Sequence, residues 1–252
     1  MRDSPTIDRA AVIRQQLETD RLFGVAALPI SVDALRQAVQ PPPAPPRAVD
    51  PARAERLKVL DETQVKGCEK CHLCRTRTNT VFGQGSPDAR LVFVGEAPGY
   101  DEDQQGLAFV GRAGQLLTRM ITAMGLTRDE VFICNVLKCR PPENRTPTAE
   151  ETTACSPYLF EQLSIIQPEV LVALGKPAAQ TLLNSTDSIG RLRGRFHEFY
   201  PSGAPMVGES IPLMPTYHPA YLLRSPSEKV KAWDDLKKVM ALLGLEIPAQ
   251  YR

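Results

Sequence analysis

Four short apolar runs, each leading into a conspicuous motif and then a segment of helical periodicity, constrain this chain more than any other feature. The runs are Leu91-Val92-Phe93-Val94, Val131 to Val136, Val170 to Leu174, and Ile211-Pro212-Leu213-Met214-Pro215. Residues 114–124, 150–165, 177–183 and 227–243 have the apolar spacing of helices. A run that is apolar on both faces fits the interior of a parallel sheet. Alternation of such runs with helices predicts an α/β sandwich. In these sheets ligands bind at the carboxyl ends of the strands. The four runs lead into Gly95-Glu96-Ala97-Pro98-Gly99, Asn135, Gly175-Lys176 and His218-Pro219. That coincidence points to one composite site.

Before this region, Ala10–Phe23 and Val32–Val39 read as helical stretches. They are followed by Gln40-Pro41-Pro42-Pro43-Ala44-Pro45-Pro46, a polyproline-type linker. The expected organisation is an N-terminal extension over 1–52 and a globular domain over 53–252. No apolar run approaches the roughly 20 residues of a membrane span. The N-terminus lacks the apolar core of a signal peptide, so a cytoplasmic protein with no membrane partner is expected. The net charge of +1 does not announce a nucleic-acid partner. Its distribution says more: Arg191, Arg193 and Arg195 cluster, and Arg75, Arg77, Arg140 and Arg145 lie near the motifs, a pattern suited to phosphate contact.

Six cysteines in a reducing compartment do not suggest a disulfide framework. Cys68-Glu69-Lys70-Cys71 brings two thiols towards one centre, which fits zinc, an iron–sulfur cluster or a redox dithiol. Cys139 and Cys155 follow as isolated residues. Two widely separated single ligands suit a cluster pinned between a loop and a helix. Cys134 falls inside a strand and reads as core, and Cys74 reads as a bystander.

Taken together, four stretches from Cys68 to Leu243 resemble the family 4 uracil-DNA glycosylases, the iron–sulfur branch of the uracil-DNA glycosylase superfamily. They are Cys68-x-x-Cys71 with Arg77-Thr78 and Val81-Phe82-Gly83; Gly95–Gly99 with Glu102-Asp103 and Gly106 to Gly111; Asn135 to Pro142; and His218 to Arg224. The resemblance implies a three-layer sandwich with a central four-stranded parallel sheet flanked by helices. It also implies a [4Fe–4S] cluster held by Cys68, Cys71, Cys139 and Cys155, and a monomer acting on uracil-containing DNA.

The resemblance also implies roles for single residues. A glycosylase takes its base out of the stack and reads it in a pocket. Phe109 stacks on the uracil, Asn135 reads its O4 and N3 edge, and the small residues Gly95, Ala97 and Gly99 let backbone amides approach it. His218 stabilises negative charge on O2 of the leaving base. Leu222 is the apolar wedge for the vacated stack, and Arg224 contacts DNA; from the arginine cluster, Arg193 is expected on the phosphates as well. The best-known branch of the superfamily has an aspartate where Ala97 stands, so Glu96 or Glu102 is left to assist with water. That branch also blocks the C5 methyl of thymine with a tyrosine where Gly99 stands, leaving Glu102 as the steric wall. A related branch links covalently to DNA through a histidine in a basic insertion, which is lacking between Gln104-Gln105-Gly106 and Phe109. A turnover enzyme is therefore expected. Two other classes remain open: a zinc module binding nucleic acid through arginines, and a thiol oxidoreductase built on Cys68 and Cys71. Neither gives Asn135 or His218 a role.

Overall fold

The computed structural model describes residues 50–202 and 208–248; the helical stretches and linker expected before residue 50 lie outside them. Six strands form one sheet: β1 (Gln84–Gly85), β2 (Leu91–Gly95), β3 (Phe132–Asn135), β4 (Val170–Leu174), β5 (His197–Phe199) and β6 (Ile211–Thr216). Their order is β1-β3-β2-β4-β6-β5. The inner four are mutually parallel, and β1 and β5 pair antiparallel to β3 and β6. The four apolar runs are thus the parallel core, but the sheet is six-stranded and mixed rather than four-stranded. The two edge strands are two and three residues long, too short to show a period.

Eight α-helices are described: α1 (Pro51–Leu60), α2 (Tyr100–Gln105), α3 (Arg112–Ala123), α4 (Ala149–Ile166), α5 (Lys176–Leu183), α6 (Ile189–Leu192), α7 (Pro219–Arg224) and α8 (Lys229–Leu242). The long ones fall where the periodicity put them. The domain's first helix starts at Pro51, capped by the Asp50 carboxylate, slightly ahead of the expected boundary. At the head of α4, Thr148 Oγ1 accepts from the Glu151 N–H while the Glu151 carboxylate accepts from the Thr148 N–H. Two otherwise orphaned donors are satisfied by this capping box.

Alternation along each strand divides the core. Val92, Val94, Phe132, Cys134, Leu171 and Ala173 face one layer, with Leu60 of α1, Leu159 and Leu163 of α4 and Ala178 of α5. Leu91, Phe93, Ile133, Val170, Val172 and Met214 face the other, with Leu117 and Ile121 of α3 and Leu236 and Val239 of α8. Successive side chains leave a strand on opposite faces, so runs apolar at every position require helices on both sides. That is the three-layer sandwich. No helix among the described residues is long and apolar enough to cross a membrane.

Candidate active site and cysteine cage

The carboxyl ends of β2, β3 and β6 converge on a cavity of about 480 Å³ lined by Glu96, Ala97, Gly99, Glu102, Phe109, Asn135, His218 and Arg224, among others. Gly95 ends β2 directly opposite Asn135 of β3. A Cβ at Gly95 would lie 2.3 Å from Asn135 Oδ1 and 2.6 Å from Phe109 Cζ. The missing side chain is what lets amide and ring meet over the strand end. Asn135 is buried, and its Oδ1 has no hydrogen-bond partner. Buried polar atoms are nearly always paired, so this acceptor is aimed at something the protein alone does not supply.

Phe109 sits at φ 53°, a left-handed conformation that is costly for an aromatic residue. Both flanks are tied down. Glu102 accepts from the main-chain N–H groups of Gly99 at 3.1 Å and of Val110 and Gly111 at 2.9 Å each. Arg128 donates to the carbonyls of Ala108 and Phe109. Glu102 therefore clamps the loop at both ends. Its carboxylate also fills the space a side chain at position 99 would enter, since a Cβ at Gly99 would lie 2.7 Å from Glu102 Oε2. Glu96 is different: burial pushes its carboxyl above the usual range.

His218 caps α7, and its Nδ1 accepts from the Ala220 N–H at 3.1 Å. Burial, reinforced by the Arg224 charge, holds its pKa down to about 4. A neutral imidazole whose Nδ1 is an acceptor carries its proton on Nε2. Its ring lies 5.8 Å, centroid to centroid, from that of Phe109. Gly175, at φ 90°, makes the approach feasible, because a Cβ there would sit 2.9 Å from His218 Cβ.

Two expectations need correction. Leu222 is no exposed wedge: it is 1% exposed, packed with Leu116 and Ala232. One turn of α7 can present only one face outward, and that face carries Tyr221, which is exposed and lines the cavity. Arg193 is not a free phosphate contact. Its guanidinium grips Asp235 at 2.7 and 3.0 Å and lies over the Tyr217 ring. Arg224, by contrast, is exposed at the cavity rim.

Sequence reasoning missed Pro141, Asn144 and Arg145 as parts of the wall. Glu143 and Asn144 are both at positive φ, and that reversal turns the segment after Cys139 back over the cavity. Arg145 is anchored there by a two-pronged bond to Glu151 at 2.6 and 2.9 Å. That bond, the Thr148 N–H and nearby His72 hold the Glu151 carboxyl down to about 2.

On the other side of β3, Cys68, Cys71, Cys139 and Cys155 line one hollow; Cys74 is outside it and Cys134 is buried core. Arg77 donates to Cys139 Sγ, the Lys138 main-chain N–H to Cys155 Sγ, and the Tyr158 hydroxyl to Cys68 Sγ, each at 3.2 Å. Burial pushes the free Cys155 thiol up to about 11, so a thiolate there needs such donors and a positive centre. Among the described residues, no three His, Cys, Asp or Glu side chains converge tightly enough for a single metal ion. Four sulfurs line one hollow and N–H or O–H groups are aimed at three of them, Cys68, Cys139 and Cys155, a donor set with the supporting bonds of a thiolate-held metal centre.

The family model of the uracil DNA glycosylase superfamily matches residues 82–237. A Type-4 uracil-DNA glycosylase of Archaeoglobus fulgidus is 44% identical over 201 residues, 77% of this chain and 98% of that protein. The Type-4 enzyme of Thermotoga maritima is 43% identical over 197 residues, with the same two coverages. That of Sulfurisphaera tokodaii is 45% identical over 184 residues, 71% of this chain and 81% of its own.

Proposed function

Because the chain belongs to the uracil DNA glycosylase superfamily, we propose that it hydrolyses the N-glycosidic bond of uracil in single- and double-stranded DNA. The product is an abasic site, the first intermediate of base excision repair. The observation that carries the reading is the unpartnered, buried Asn135 Oδ1 in the same cavity as a neutral His218.

The flipped base enters the cavity with its ring against Phe109. The Asn135 amide donates to O4 and accepts from N3–H, completing its own hydrogen bonding. As the C1′–N1 bond breaks, its electron pair leaves with the uracil and negative charge gathers on O2. The N–H on Nε2 of His218 donates to that oxygen, a dipole already in place before charge develops. Neutrality matters: the imidazole donates a hydrogen bond without surrendering a proton to the base. A water adds to C1′, its departing proton balancing the charge of the uracil anion. Glu96, free of the clamp that occupies Glu102, is the better placed of the two carboxylates to orient that water. Glu102 walls off C5.

Cys68, Cys71, Cys139 and Cys155 would hold a [4Fe–4S] cluster, which supplies cross-linking of loop, turn and helix rather than electrons to bond cleavage. Arg224 and Tyr221 contact the DNA flanking the flipped nucleotide. A cytoplasmic location and a monomeric state belong to the same reading. Single-turnover excision from a uracil-containing single-stranded oligonucleotide, read as alkali-labile abasic product, tests the proposal. Absence of product from iron-loaded protein would overturn it.

A further inference from the structure

Lys138 is among the largest fully buried side chains of the domain, yet nothing in the chemistry above uses it. Lysines are almost never buried without partners, because desolvating an ammonium is expensive. A purely apolar requirement at this position would be met by leucine or methionine. What the lysine adds is a set of bonds. Its Nζ donates to the Asn135 carbonyl at 2.8 Å and to Gln162 Oε1 at 2.6 Å. Gln162 is oriented in turn by donating from Nε2 to the Phe82 carbonyl at 2.9 Å. The main-chain N–H of Lys138 is the donor to Cys155 Sγ. Between these two contacts, the N–H groups of Val136 and Leu137 bond to the carbonyls of Gly95 and Glu96. One residue thus touches the base-reading strand end through its side chain and the thiol cage through its backbone.

We propose that Lys138 is a positioning residue: its buried Nζ pins the Asn135 carbonyl, and with it the base-reading amide, while its backbone grips the cage, so that cage and pocket share one rigid segment. The proposal rests on the uracil-excision reading of the pocket.

The test uses anaerobically purified, iron-loaded protein and compares Lys138→Met, Asn135→Ala and the double variant in single-turnover excision. Losing the buried bond to the Asn135 carbonyl predicts a rate loss of roughly tenfold or more for Lys138→Met. In the Asn135→Ala background the same change should add almost nothing, because residues acting through one another are not additive. Full additivity would reduce Lys138 to general stability and overturn the proposal. The second readout is iron: Lys138→Met keeps the main-chain donor to Cys155, so its iron content and visible absorbance should stay at the wild-type level while excision falls. Iron lost together with activity would make Lys138 a general support of the fold and overturn the proposal. Should Lys138→Met fail to fold, Gln162→Leu keeps the Nζ donor and removes one acceptor. It should give a smaller loss with the same non-additivity against Asn135→Ala, and additivity there would sink the idea. If Asn135→Ala excises uracil at the wild-type rate, the pocket reading itself falls, an outcome distinct from a crippled Asn135→Ala with an unaffected Lys138→Met.

Discussion

The base pocket and the cysteine cage lie on either side of the segment that follows β3, and they are built in opposite ways. Gly95 and Asn135, the heart of the pocket, are partners in a parallel strand register, and His218 follows β6 of the same sheet. Their relative positions are set by main-chain hydrogen bonds between buried strands. The cage draws Cys68 and Cys71 from a loop, Cys139 from the turn after β3 and Cys155 from α4. No strand pairing relates these sulfurs; only the side chains of Arg77 and Tyr158 and the Lys138 N–H do. A pocket held by a sheet keeps its shape when empty, whereas a cage held by loops would depend on the group it binds, because metal binding at such a site is folding energy.

The sharpest way to break this contrast is to remove a ligand. Cys139→Ala should lose its iron and visible absorbance and show the largest fall in thermal midpoint, while Cys74→Ala, outside the cage, should lose neither. Iron missing from Cys74→Ala would undo the ligand assignment. Less drastic, Arg77→Ala should weaken iron retention by about 10- to 100-fold, the usual cost of losing a group that supports a ligand, with iron released to a chelator as the measurement.

On the pocket side, His218→Ala should slow single-turnover excision about 100- to 1000-fold while leaving iron content and DNA affinity near wild type. A loss below tenfold would shift the catalytic burden elsewhere. Since His218 titrates near 4 in the folded protein against 6.5 ordinarily, the unfolded chain binds its proton first as pH falls. The stability tied to this residue is present above pH 6.5 and drains away between 6.5 and 4. His218→Gln should flatten that stretch of the stability–pH curve, and an unchanged curve would refute the assignment.

A smaller effect tests the C5 wall. A methyl group is worth about 1–3 kcal/mol in an apolar pocket, so Glu102→Ala should slow uracil excision moderately and permit some thymine release, most easily from a G·T mismatch. Because Glu102 also clamps Phe109, uracil excision at the wild-type rate with thymine still rejected would deny it both roles. Smallest of all, Arg224→Ala should lower the slope of log affinity against log salt by about 0.9, one phosphate's worth. Arg193→Ala should leave the slope unchanged and cost stability instead, because its charge already belongs to Asp235.

Much of this molecule was legible in its sequence. Leu91–Gly95 and Val170–Leu174 could only be central strands, since a segment apolar at every position needs cover on both faces. Once they are parallel, the residues at their carboxyl ends lie side by side, which is why Asn135 and His218 stood out from the pattern; Phe109 was named only through the family resemblance. The two-residue gap of Cys68 and Cys71, with Cys139 and Cys155 beyond, likewise marked the cage. Tertiary structure alone decided the rest. β1 and β5 exist only because β3 and β6 offer open edges. Leu222 turns inward because Leu116 and Ala232 wait beneath α7, and Arg193 is spent on Asp235, a partner 42 positions away. The unpaired Asn135 oxygen, the acceptor role of His218 Nδ1 and the buried bond from Lys138 are all properties of neighbours. Local sequence encodes which element forms and how apolar it is. Which face of a short helix is buried, and whether a polar atom finds a partner, depends on chain segments that meet only when the sheet has closed.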